Sequence, residues 1–275
     1  MNLLGKWIAR IALPREELRA IRTNFNEVAE TFPEVLDPAL FSKKSPWREL
    51  VVLVNSRGTT THAATAGFRK VFRVFVRIPE EVGGPACLEA YFRHYFEKRR
   101  EPPGLRCIRS GRVLADGSRA LLVESLLTLS DKGEIIPVPL VVNVQSRVIR
   151  SLGPGKDGRF ELEDLPFFVL HGSRKSLSSK NRQHGGLRPL EADAPIPMNG
   201  SALRRYTSPL LPARHVCQLC HGVNGRSLMT TSVHFIRGLR LLVLPPENTV
   251  EQDNVIQALK DSGAYQALKR SFASD

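Results

Sequence analysis

The chain has 275 residues, 42% hydrophobic and 24% charged, which is enough apolar sequence for one large or two small folded domains and too much for a disordered chain. Forty Lys and Arg against 27 Asp and Glu give a net charge of +13, favouring anionic partners over cationic ones. No transmembrane segment is expected, because no run approaches the roughly 18 consecutive apolar residues of a spanning helix, and Ile135 to Val144 is broken by prolines and Asn143.

From Met1 to Leu13, residues Leu3, Leu4, Trp7, Ile8 and Ile11 fall on one helical stripe, interrupted by Lys6 and Arg10. That segment lacks the uninterrupted apolar stretch and cleavage site of a secretory signal. It reads as a short helix docking on the core, with a membrane-surface helix as the second reading. Leu18, Ile21, Phe25 and Val28 then recur at helical spacing, and Pro14 and Pro33 bracket one amphipathic helix. Leu50 to Val54 reads as a buried strand, Asn55 to Gly67 as a loop, and Phe68 to Ile78 as a strand rich in β-branched and aromatic residues. A helix follows over 86–100, with Leu88, Tyr91, Phe92, Tyr95 and Phe96 on one side and Pro102-Pro103-Gly104 as its stop.

Turn signals at Asp116-Gly117 and Asp131-Lys132-Gly133 separate the apolar runs 105–114, 120–129 and 135–149, which predicts a three-stranded antiparallel meander. Gly153 to Gly158 is a turn; it contains Lys156 but not the full phosphate-loop pattern. After Leu170 the sequence turns polar and basic, then Pro-rich, up to Pro212. Leu239 to Leu244 reads as a strand. Thr249 to Gln252 is a capping box opening a helix to about Lys260, and Tyr265 to Phe272 is a further helical stretch.

The fold class expected is therefore α+β, an antiparallel meander sheet with flanking helices and a C-terminal helical segment. Four segments are expected: a helical N-terminal part over 1–50, a sheet domain over 51–170, a basic connection over 171–216, and a motif-bearing part with a C-terminal helix over 217–275.

The most informative residues are Cys217-Gln218-Leu219-Cys220-His221. Two thiols three residues apart reach neighbouring edges of one porphyrin, and the adjacent imidazole projects toward its centre. From this composition the string is expected by chance about 0.001–0.002 times. The pentapeptide resembles the haem attachment motif of c-type cytochromes. The resemblance implies Cys217 and Cys220 as haem anchors and His221 as the proximal iron ligand. Met229 or His234 is the candidate distal ligand, with His62, His171, His184 and His215 as further choices, and an open sixth position would favour ligand binding or peroxide chemistry over plain electron transfer. More faintly, Gly185-Gly186-Leu187-Arg188-Pro189 followed by a late Cys-x-x-Cys-His is similar to bacterial proteins that carry such a motif outside any standard cytochrome domain. The motif stands late in the chain, unlike that of small soluble cytochromes.

Haem c would bring a redox partner and an extracytoplasmic, periplasmic location. No signal peptide is visible in the sequence, so that reading expects an incomplete start of the chain. A rival site is zinc on Cys217, Cys220 and His221 with His215 or His234, and another is a dithiol switch. Cofactor-free, the motif would be structural in a non-enzymatic binding protein.

Between Leu165 and Pro246, eleven basic residues face two acidic ones, Glu191 and Asp193, which suits an anionic partner. Arg214 and Arg226 would neutralise haem propionates. The tract Arg174 to Arg188 has neither interleaved aromatics nor a nucleic-acid-binding pattern around it, so nucleic acid is not the expected partner. Four cysteines do not make a disulfide scaffold at this length. His94 is read as a surface or core-edge residue. No hydrolase or dehydrogenase signature is present, and no catalytic residue is assigned.

Overall fold

Residues 13–54, 57–59, 70–98, 103–109, 113–149, 151–154, 160–162, 168–172, 177, 183–189, 195–197, 210–212, 240–244, 257, 260–261 and 263–272 are described by a computed structural model. Alternating apolar sequence builds its central antiparallel sheet from β1 (Trp47–Val54), β3 (Lys70–Arg77), β6 (Arg119–Leu129) and β7 (Ile135–Val148). With β10 (Phe168–His171), β11 (Arg188–Pro189) and β14 (Arg240–Leu244), the strand order is β11-β10-β7-β6-β3-β1-β14, while β8 (Ser151–Pro154) and β9 (Phe160–Leu162) form a separate antiparallel pair. The short β2 (Arg57–Thr59) also pairs with β1, inside the stretch read from sequence as a loop. The fold is α+β, as the sequence predicts.

Within that class two elements differ from expectation. The meander does not begin with 105–114, which is a separate small hairpin of β4 (Ile108–Arg109) and β5 (Val113–Leu114); its place beside β6 is taken by β3. Eight register pairs from Lys70↔Leu126 to Arg77↔Arg119 bind β3 there, a ladder that two-residue strands cannot match. The single helix expected from Pro14 to Pro33 is two helices, α1 (Arg15–Arg19) and α2 (Phe25–Thr31). The break has a tertiary cause at Asn24, described below.

Successive strand residues face opposite sides of the sheet. On one side Trp47, Phe75, Leu121, Val123 and Val144 pack against Phe25, Val28 and Ala29 of α2 and against Val35, Leu36 and Leu40. On the other, Leu50, Val76 and Ile149 meet α3 (Gly84–Lys98) through Leu88, Tyr91 and Phe92, with Cys107, Ile108 and Leu114 of the small hairpin closing that layer. Tyr95 is partly buried against this cluster, and the side chain of Phe96 lies outside the described residues. The far end of the β6–β7 hairpin alternates its contacts. Ile136 and Val138 receive Leu18 of α1, while Leu127 and Ile135 receive Tyr265 of α4 (Gly263–Phe272), whose hydroxyl donates to the Gly133 carbonyl at 3.2 Å.

Candidate functional site

The pentapeptide residues Cys217, Cys220 and His221 lie outside the described residues, as do Met229, His234, His62, His215, Arg214, Arg226 and the basic residues from Arg174 to Arg182. His171 and His184 have described backbones, in β10 and in the 3-10 turn His184–Gly186. The N-terminal stripe Leu3 to Ile11 and the capping box at Thr249 to Gln252 are also outside.

The topology nevertheless fixes where the motif-bearing chain departs and returns. It leaves β11 at one edge of the main sheet and re-enters as β14 at the opposite edge. With adjacent strands about 4.8 Å apart, those edges are separated by roughly 30 Å of sheet. Inside this connection β12 (Pro195–Pro197) and β13 (Leu210–Pro212) form their own antiparallel pair. The return is firmly registered, from Glu49↔Leu244 to Leu53↔Arg240.

The departure point is locked by Asn24, which is fully buried. Its amide nitrogen donates to the Val141 carbonyl at 2.9 Å and to the Gly185 carbonyl at 2.6 Å, while its amide oxygen accepts from the Val141 N–H at 2.7 Å. Asn24 leaves helical geometry (φ −101°, ψ 6°) to reach these groups, which divides α1 from α2. Thr23 assists, its hydroxyl accepting from the Phe25 N–H at 3.1 Å. Opposite Asn24, Gly185 has φ +69°, and an added Cβ would collide with Val28 Cγ2 and stand 3.0 Å from the Asn24 carbonyl oxygen. Only glycine fits both demands. Leu187 is buried beside it and Arg188-Pro189 pairs with β10, so Gly185 to Pro189 acts as an anchor for the turn.

Two polar features interrupt the apolar faces. Arg73 lies against Glu49, its Nε donating to Oε1 at 2.8 Å and its Nη2 bonding Oε2. Its guanidinium carbon sits 4.8 Å from the Phe41 ring centre and 5.0 Å from that of Phe75. On the opposite face Glu124 stands across from Asn143 in the β6–β7 ladder, with Arg147 further along β7, and all three are buried. The Asn143 Oδ1 has no hydrogen-bond partner among the described residues. The ladder shifts register beside Glu124, so this polar strip accompanies a bulge.

His94 is half-buried on α3, a core-edge position, and its Nε2 has no hydrogen-bond partner among the described residues. No group of three or more His, Cys, Asp or Glu gathers as a metal site among the described residues.

A disulfide joins Cys87 in α3 to Cys107 before the small hairpin, with Cα atoms 6.0 Å apart. Sequence reasoning left these two cysteines unassigned, because four cysteines are too few for a disulfide scaffold in a chain of this length and do not fix the redox compartment.

No family model matches the chain, and no curated protein or solved structure is detectably similar to it. Among the described residues the molecule is an α+β protein whose main antiparallel sheet is covered on both faces.

Proposed function

We propose that this protein carries one haem bound covalently through Cys217 and Cys220, with His221 as the proximal iron ligand, and that it serves in electron transfer or haem-based ligand sensing. The observation that carries the reading is the pentapeptide itself, whose donor set fits the group: two thiols to bond the vinyl edges and an adjacent imidazole for iron. Bound haem would supply a one-electron couple and an axial coordination position. The chain's part is to hold the macrocycle by both sulfurs, orient iron through His221, and offset propionate charge with Arg214 and Arg226. The Cys87–Cys107 disulfide supports the same compartment, because covalent haem attachment of this type and stable disulfides both belong outside the reducing cytosol. No helix among the described residues is long and apolar enough to cross a membrane.

The test is export of the full chain in a host that matures c-type cytochromes. The expected result is a pyridine haemochrome spectrum that survives acid-acetone extraction and disappears in Cys217→Ser/Cys220→Ser. Stoichiometric zinc without that spectrum would overturn the haem reading in favour of a metal site. A folded protein with neither would leave a cofactor-free binding protein with a basic segment for an anionic partner.

A further inference from the structure

We infer that Cys87 and Cys107 form a permanent structural staple made during export into an oxidising compartment. Three observations carry the inference independently of haem. Both residues are buried, Cys107 fully, within the apolar cluster of Leu50, Leu88, Tyr91 and Ile149. A redox sensor needs thiolate character and solvent access, and this site offers a shielded apolar setting instead. The surrounding backbone also packs closely on Cys87. Gly83 has φ +104°, and a Cβ there would lie 2.9 Å from the Cys87 Cβ and 3.6 Å from its Sγ. On the other side the Cys107 carbonyl accepts from the Ala115 N–H at 2.8 Å, so the small hairpin holds Cys107 by its main chain.

The bond closes a loop of 20 residues in sequence separation. Chain-entropy reasoning gives such a closure about a 10²-fold gain in the folding equilibrium. Its formation removes two protons and two electrons from the Cys87 and Cys107 thiols. They pass to the disulfide of an exchange-active thiol oxidoreductase, which leaves as its dithiol. The pairing takes two of the four cysteines, and Cys217 and Cys220 are the other two. A reducing compartment would leave all four as thiols.

Non-reducing peptide mapping of the exported full chain, alkylated before denaturation and again after it, tests this without any substitution. The expected map has the Cys87 peptide joined to the Cys107 peptide and no cross-link from either to the Cys217–Cys220 peptide. Reductant applied to the native protein should leave the link intact, and reductant in denaturant should open it. Alkylated Cys87 and Cys107 in folded exported protein would overturn the inference. A link from either to Cys217 or Cys220 would overturn it too, as would ready reduction of the native bond. A haem-free Cys217–Cys220 peptide beside an intact 87–107 link supports the staple while removing the haem proposal, so the two can fail separately.

Discussion

Replacing Asn24 tests the claim that one amide group ties the N-terminal helices, β7 and the turn at Gly185 together. Asn24→Ala strands two buried carbonyl oxygens and one buried N–H, those of Val141 and Gly185, which the native side chain satisfies at 2.6–2.9 Å. An unsatisfied buried group costs about 1–3 kcal/mol, and partial water entry softens the sum, so a loss of about 3–5 kcal/mol is expected. That is a large share of a typical stability of about 5–15 kcal/mol. Asn24→Asp sharpens the test because it keeps the acceptor for the Val141 N–H and replaces the donor with an oxygen aimed at two carbonyls. Burial and those carbonyls raise the folded-state pKa of the new carboxyl above its unfolded value of about 3.9. The protonated acid supplies one donor. Its deficit relative to the native protein at matched pH is therefore smallest below the unfolded pKa and grows as pH rises through the folded pKa. Urea denaturation of the three proteins between acid and neutral pH reads this directly. The reasoning is refuted if Asn24→Ala stays within about 1 kcal/mol of the native protein, or if the Asn24→Asp deficit is flat with pH.

Other expectations follow from the same packing. Breaking the buried pair singly, as Glu49→Gln or Arg73→Met, should cost about 3–5 kcal/mol, whereas the double variant should cost clearly less than the sum; additive losses in a denaturation cycle would show the groups uncoupled. Gly185→Ala should lose about 2–5 kcal/mol from left-handed strain and collision with Val28, and a thermal midpoint equal to that of the native protein would contradict the anchor. Removing the staple as Cys87→Ala/Cys107→Ala should lower stability by about 3 kcal/mol in non-reducing urea titrations, with no effect of reductant on the unfolding midpoint of the double variant.

The strands were legible where side chains alternate along a ladder long enough to enforce the pattern, as in Lys70 to Arg77 and in Arg119 to Leu129. α3 was legible because Leu88, Tyr91 and Phe92 mark one apolar face and Pro102-Pro103 follows it. The division between α1 and α2 was hidden because Leu18, Ile21, Phe25 and Val28 keep helical spacing, while the force breaking the helix comes from Val141 and Gly185, distant in sequence. The run 105–114 was misplaced because its apolar residues serve the Cys107 cluster rather than the central ladder. In the buried pair, Arg73 alternates with the apolar Phe72, Val74 and Val76 and shares its side of the strand with Arg77, so its burial against Glu49 on β1 is a tertiary fact that the pattern does not signal. The candidate haem ligands rest on the string from Cys217 to His221 alone, whose spacing resembles an attachment motif and which lies outside the described residues. The role of Gly185 required coordinates, because a paired glycine in sequence reports a need for space without naming what crowds it.

The ladder between β1 and β14 also sets an order of events. Glu49 must wait for Leu244, so throughout synthesis one side of β1 is an unsatisfied edge while most of the chain is still emerging. Contacts this remote in sequence slow folding, and they expose β1 to pairing with a neighbouring molecule in the interval.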